Sequence, residues 1–276
     1  MNSIRIPAAI CLVFAVGCSG AARGASPVEA EGPGLAIRVA TYNVLTSSDP
    51  NRILKNLQLL DADIVCLQEV RNDATHLKRF VDQLKMTAAY AAYGPRSGAG
   101  MAILARGTIK PGKVLNMAGE HDYGFSADVT IKGETVRVLC IHLKSLPRPL
   151  IRGAMESMGA RTRQAKDVVE LAEASPHPVI VAGDTNSLGF FPSYVALARS
   201  LTDCCAACGT TTQPSIFVNR AGYRIDHVFV RGPWAIDAAR VRELDGSDHR
   251  PVVAELRLLG PTTRPAGLEG PQEPSR

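Results

Sequence analysis

Six short apolar runs, each the length of a strand and each carrying one chemically capable polar residue, constrain this chain more than any other feature. They are Ala40-Thr41-Tyr42-Asn43-Val44, Ile64-Val65-Cys66-Leu67-Gln68-Glu69-Val70, Ile141-His142-Leu143, Val181-Ala182-Gly183-Asp184-Thr185-Asn186, Arg224-Ile225-Asp226-His227-Val228-Phe229, and Ser247-Asp248-His249-Arg250 ahead of Pro251. Runs of this kind read as buried strands. Helical patterns separate the early ones. Asp49-Pro50 marks a helix start, because Asp caps and Pro tolerates the first position, and that helix should reach residue 60. Asn72-Asp73 caps a second helix that should run through residue 85.

From residue 88 to 142 the pattern changes to consecutive strands, with turn signals at Gly98-Ala99-Gly100, Gly107, Pro111-Gly112 and Lys132-Gly133, which predicts an antiparallel meander. Residues 159–174 return to helix, 178–183 form a buried strand and 192–199 a short helix. The last two strands are expected at 224–230 and 251–258. Strands alternating with helices give an α/β fold of mixed sheets with helices outside.

The chain has 276 residues and 46% hydrophobic content, enough for one sizeable core and one catalytic domain. Residues 1–25 read as an export signal: Arg5 precedes an apolar stretch from residue 8 to 16 that is too short to span a bilayer. Ala15-Val16-Gly17-Cys18 partly resembles a bacterial lipobox, with Ala15 where Leu is usual; either Cys18 is acylated and tethers the protein to a membrane, or ordinary cleavage falls in the small-residue stretch from Ser19 to Ala25. Residues 26–34 are then a tether, 35–259 the folded body, and 260–276 a Pro-rich disordered tail. The expected location is periplasmic or extracellular. A formal charge of +5 suits a polyanionic partner, whether nucleic acid, anionic membrane or small phosphate ester.

Cys66 and Cys140 sit in strand runs, where a small buried thiol packs well. Cys204-Cys205-Ala206-Ala207-Cys208 has no second Cys or His pair at ligand spacing, which argues against zinc. In an oxidising compartment a disulfide from Cys204 or Cys205 to Cys208 is expected.

The candidates collected at strand ends are Asn43, Glu69, His142, Asp184, Asn186, Asp226, Asp248 and His249. Carboxylates with an amide oxygen suit a hard cation such as Mg²⁺ or Mn²⁺, which can neutralise a phosphoryl group, so the chemistry implied is hydrolysis of a phosphate ester. His249 can serve as general base toward water if Asp226 fixes its tautomer. Asp184 and Asn186, two apart at a strand end, should share one face.

As a set, these motifs resemble the endonuclease/exonuclease/phosphatase superfamily across residues 37–258. That resemblance implies a four-layer α/β sandwich of two mixed β-sheets flanked by helices. It also implies that Asn43 and Glu69 bind the metal with Asp248 as a third contact. Asp184 and Asn186 would act near the scissile phosphate, His142 would contact it, Asp226 and His249 would form the general-base pair, and Arg71 would touch substrate. Many relatives carry an extra Glu or Tyr between the Glu69 and His142 motifs, and Tyr93 and Arg96 lie in that region.

Long substrate-reading loops should be absent, because about 40 residues separate Asn186 from Asp226. A monomeric nuclease is the first expectation for function, because Arg71 and the basic stretch of Lys144, Arg148, Arg152, Arg161 and Arg163 suit a phosphodiester backbone. That stretch reads equally as a solvated helix face. The alternatives are a sphingomyelinase-like phospholipid phosphodiesterase, disfavoured by the lack of a long aromatic hairpin, and a small-molecule phosphatase. A non-catalytic binding module should have lost one of Glu69, Asp184, Asp226 or His249, and all four are present.

Overall fold

Strands that are apolar on both faces need cover on both sides, so a chain built from such runs must stack its sheets. The computed structural model describes residues 34–116, 122–145 and 154–260. The expected signal, the Cys18 tether site and the tail from residue 261 lie outside the described residues. The first elements in chain order are β1 (Leu35–Asn43), α1 (Pro50–Leu60), β2 (Ile64–Arg71), α2 (Leu77–Leu84), β3 (Thr87–Ala92) and β4 (Ala99–Ala105). Then come β5 (Thr108–Leu115), β6 (Gly124–Ile131), β7 (Glu134–His142), α3 (Ala154–Glu173), β8 (Val179–Asp184) and α4 (Pro192–Ser200). The chain continues through β9 (Thr202–Asp203), α5 (Cys204–Ala207), β10 (Ile216–Val218), β11 (Ala221–Tyr223), β12 (Asp226–Arg231), β13 (Trp234–Val241) and β14 (Val252–Leu258).

Two six-stranded sheets result, in the orders β13-β14-β1-β2-β4-β3 and β5-β6-β7-β8-β12-β9, beside a small β10-β11 hairpin. Each sheet holds one parallel pair near its centre, β1 with β2 and β7 with β8, between antiparallel neighbours. Their inner faces meet through residues such as Val39, Ile64, Cys66 and Ile103 on one side and Val129, Val138, Cys140 and Ile180 on the other. The outer face of the first sheet is covered by α1 and α2, with Ile53, Leu57 and Phe80 packed on Tyr42, Val65 and Leu67. The outer face of the second is covered by α3 and α4, with Ala165, Val168 and Leu197 on Leu139, Val181 and Phe229. Helix, sheet, sheet and helix make the four-layer sandwich. Each buried aliphatic side chain of this kind contributes about 1.5–3 kcal/mol relative to exposure.

Several local features depart from the expectations. The meander is cut in two: β3 and β4 belong to the first sheet and β5, β6 and β7 to the second. The crossing falls at Gly107, where a side chain would meet the Thr130 carbonyl oxygen at 2.2 Å. α2 begins at Leu77, because the Asp73 carboxylate accepts the backbone N–H groups of Thr75 and His76 in a turn ahead of the helix. α3 starts five residues earlier than its pattern suggested. β13 was not anticipated; it pairs only with β14 at a sheet edge, and only Ala239 and Val241 in it are buried. Cys204, Cys205 and Cys208 are free thiols rather than a disulfide, since α5 turns Cys204 and Cys205 into the core between the sheets. No described helix is long and apolar enough to cross a membrane.

Candidate active site

The second sheet supplies a row of three polar side chains at one edge. His142 pairs in register with Asp184 across β7 and β8, and Asp184 with Asp226 across β8 and β12. Register partners project from the same face, so the strands alone bring these groups together. The approach is close. A side chain at residue 183 would lie 1.9 Å from the Ile141 carbonyl oxygen, so glycine is required beside Asp184.

The first sheet supplies Asn43 at the end of β1 and Glu69 near the end of β2. Pairing of β2 with β4 slips between Leu67 and Val70, and Glu69 sits in that bulge with φ of 57°. A left-handed conformation costs a non-glycine residue energy, and bulges of this kind re-aim side chains beside functional sites. Two contacts hold it: the Glu69 N–H donates to Tyr93 Oη at 2.9 Å, and its carbonyl accepts from Thr46 Oγ1 at 3.0 Å. The Asn43 amide then joins the two sheets, donating to Glu69 Oε1 at 3.1 Å and Asp184 Oδ2 at 3.3 Å.

His249 arrives from the segment before β14. Its Nδ1 lies 2.8 Å from Asp226 Oδ2, and its Nε2 lies 3.8 Å from Asp184 Oδ2. Burial raises the Asp226 carboxyl above its ordinary range, with Asp184 adding to the rise against the pull of His249. Burial lowers His249, but Asp226, Asp184 and Asp248 together outweigh it and push the imidazole up to about 10. Asp184, Asp226 and His249 bring donor atoms within 4.8 Å of one another.

The expected residues differ in how far the structure gathers them. Asn43, Glu69, His142, Asp184, Asp226 and His249 converge as described. Asn186 lies beside Asp184 through a turn rather than strand alternation: β8 ends at Asp184, and Asn186 has φ of 49°. Its N–H donates to Asp184 Oδ1 at 2.8 Å, and its side chain to the Leu143 carbonyl at 3.0 Å. Asp248 is exposed, with its Oδ1 3.3 Å from Ser247 Oγ. Arg71 is exposed and ion-paired to Asp73 at 2.8 Å.

Three supporting residues were not among the expected site residues. Tyr93 Oη lies 2.6 Å from His142 Nδ1 while accepting from Glu69, so one hydroxyl ties the two sheets, and burial holds it well above an ordinary phenol. The signal was its place in the region where many relatives carry an extra Glu or Tyr. Ser247 Oγ donates to the Asn43 carbonyl at 2.7 Å and accepts from the His249 N–H, and its adjacency to Asp248-His249 could have marked it. Ser215 Oγ accepts from the N–H groups of Ile225 and Asp226, a role with no mark in the sequence.

The model of the Endonuclease/Exonuclease/phosphatase family matches residues 40–249, and the chain belongs to that family. It is a phosphoester hydrolase by that membership. Among solved structures it is similar to an endonuclease/exonuclease/phosphatase from Beutenbergia cavernae, with TM-score 0.67 and 21% identity over 82% of this chain and 72% of that one. D. rerio TDP2 complexed with a single-strand DNA product aligns with TM-score 0.61 and 19% identity over 80% of this chain and 99% of that one. ANGEL2, a 2',3'-cyclic phosphatase solved with adenosine-2',3'-vanadate, aligns with TM-score 0.61 and 17% identity over 82% and 96% of the two chains. At these identities the likeness carries the fold. No curated protein matches the chain in sequence.

The donor set fits a hard divalent cation. Asp184 and Asp226 lie together with His249 and His142, and the Asn43 amide links Asp184 to the third carboxylate, Glu69. Among the described residues no lysine or arginine forms an ion pair with any of the three. Oxygen-rich negative charge of this kind is what Mg²⁺ or Mn²⁺ satisfies.

Proposed function

We propose that this chain is a divalent-cation-dependent phosphodiesterase that cleaves nucleic-acid phosphodiester bonds. The observation that carries the reading is the buried Asp226–His249 pair, whose free imidazole nitrogen faces Asp184 beside the Asn43–Glu69 oxygens. Asp226 holds Nδ1 and fixes the tautomer, so Nε2 is the atom that takes a proton from attacking water. His142, oriented through Nδ1 by Tyr93, and Asn186, fixed on Leu143, hold the non-bridging phosphoryl oxygens, and Asp184 stands where a proton can be passed to the leaving oxygen. Mg²⁺ or Mn²⁺ held by Glu69 and Asn43, with Asp248 at the rim, would neutralise phosphoryl charge. Arg71 would meet a backbone phosphate once released from Asp73. The positive net charge is compatible with nucleic acid, and the DNA product bound to the similar TDP2 structure favours it. The protein acts as an exported monomer, tethered through Cys18.

A second reading, phospholipid phosphodiesterase, draws on the β10–β11 hairpin, which bridges to His249 through Ile216 and exposes Phe217, Val218 and Tyr223. The hairpin is short, but it places an apolar surface beside the site.

The test offers the purified protein plasmid DNA, single-stranded RNA, sphingomyelin vesicles and inositol phosphates, with EDTA and Glu69→Ala as controls. Cleavage of nucleic acid that both controls abolish is the expected result. Release of phosphocholine alone moves the protein to the lipid reading, and no turnover with any divalent cation overturns the catalytic assignment.

A further inference from the structure

Arg161 was read from the sequence as one cation of a basic stretch, yet its side chain is among the largest wholly buried ones in the molecule. It lies on α3 with Ser157 and Gln164, at spacings of four and three residues that put all three on one helix face. All three are buried, and all three grip the irregular segment that follows His142. Gln164 Oε1 accepts the Lys144 N–H at 2.8 Å, Arg161 Nη1 donates to the Lys144 carbonyl at 3.1 Å, and Ser157 Oγ donates to the Ser145 carbonyl at 2.9 Å. Leu143, one residue earlier, is held by the Asp184 carbonyl and the Asn186 side chain. Residues 143–145 are therefore fixed on the site side by the catalytic loop and on the far side by one helix face.

The clamp does not need a guanidinium. One nitrogen, Nη1, serves both Lys144 and Ser157, while Nε and Nη2 are buried with no hydrogen-bond partner among the described residues. A neutral amide could make the same contacts without the cost of a buried charge. That cost is visible: burial lowers the Arg161 pKa, and Asp184 in the active site is the carboxylate whose charge offsets it. The guanidinium also lies 5.8 Å from the ring centroid of Phe191, on the loop that follows Asn186, so it stands between the two loops bordering the phosphate position. A charge kept at this cost beneath an anion-handling site has a use there.

We propose that Ser157, Arg161 and Gln164 are positioning residues that clamp residues 143–145 for phosphate handling, and that Arg161 gives the site a fixed positive charge that strengthens phosphoryl binding. The inference rests on the phosphoester hydrolase reading, and one arm of its test is independent of turnover. That arm measures binding of inorganic phosphate by calorimetry; the others measure kcat on bis(4-nitrophenyl) phosphate and Tm.

Arg161→Met should fold with a Tm at or above that of the parent, because it removes an unsatisfied buried charge. Its phosphate Kd should weaken by about 10-fold, and kcat should fall by about 10- to 100-fold as the loop loosens. Arg161→Lys keeps the charge, but its ammonium ends one bond short of Nη1 and loosens the grip on Lys144, so phosphate Kd should stay within about 3-fold while kcat falls. Gln164→Leu should lower kcat without weakening phosphate. Unchanged phosphate affinity and kcat in Arg161→Met overturn the proposal, as does a loss of activity that merely follows a lowered Tm. Should Arg161→Met not fold, Arg161→Lys decides: retained affinity with reduced kcat supports the proposal, and affinity lost together with Tm sinks it. A parent that binds phosphate through Arg161 but turns over nothing would leave this inference standing while the hydrolase reading fell.

Discussion

Strand β12 carries two histidine–aspartate contacts back to back, and they do different things. Asp226 faces the site and holds His249 at 2.8 Å, whereas the next residue, His227, faces the opposite way and meets Asp203 at 3.0 Å. The distances are nearly the same, but the carboxylates are not. Asp203 also accepts from Arg224, from Tyr194 Oη and from the backbone N–H groups of Cys205 and Ala206. Burial alone would raise it, yet these partners, His227 first, hold it well below the usual carboxylate range. His227 is fully buried against Phe229 and Tyr194, and its Nε2 has no hydrogen-bond partner among the described residues. Asp226, by contrast, serves His249 and lies beside a like charge, Asp184. An imidazole held by a carboxylate becomes a candidate base when its other nitrogen reaches a place where substrate can sit; otherwise it is a rivet.

The contrast is sharpest in activity. Asp226→Asn should leave the fold intact but misplace the His249 proton, lowering kcat by about 10²- to 10⁴-fold in a steady-state assay with Tm unchanged. A loss below about 10-fold would show that His249 does not depend on Asp226. Asp203→Asn should do the reverse. It leaves buried Arg224 without its carboxylate, so denaturant unfolding should show a loss of about 3–5 kcal/mol, while the fraction that remains folded keeps kcat within about 3-fold.

The smallest effect is in pH. The folded pKa of His249 is raised, so its contribution to stability is full below the unfolded value of about 6.5 and disappears as pH climbs toward about 10. Asp203 is depressed, so its contribution is full above an unfolded value of about 3.9 and disappears as pH falls through its folded value. Tm measured in EDTA should decline on both sides of that interval. His249→Gln should flatten the alkaline decline and leave the acid one; a parallel flattening of both would dissolve the distinction between the pairs.

Much of this was legible in the sequence because strand chemistry is local. A run such as Ile64-Val65-Cys66-Leu67 announces its own burial, and the polar residue at its end announces an edge. Asp226 and His227 point to opposite faces by alternation alone. What could not be read depends on contacts between distant parts of the chain. The turn at Gly107 looks like any hairpin turn, so nothing local says that the chain changes sheets there. β13 is an exposed edge strand whose side chains carry little apolar signal. The bulge at Glu69 and the left-handed turn at Asn186 break the two-residue period on which the reading relied, and both break it at the site. Arg161 was misread for a related reason: a helix face that buries polar groups against a loop has the same composition as one that faces water.

One feature of the first sheet bears on how the protein is made. Its last strand, β14, lies between β1 and β13, and His249 immediately precedes it. On the ribosome, β1 therefore waits for a neighbour that is synthesised more than two hundred residues later. Such long-range pairing is slow to form and leaves a strand edge exposed in the meantime. The same wiring withholds His249 until the sheet closes. A nascent chain that has not yet added β14 has no assembled Asp226–His249 pair.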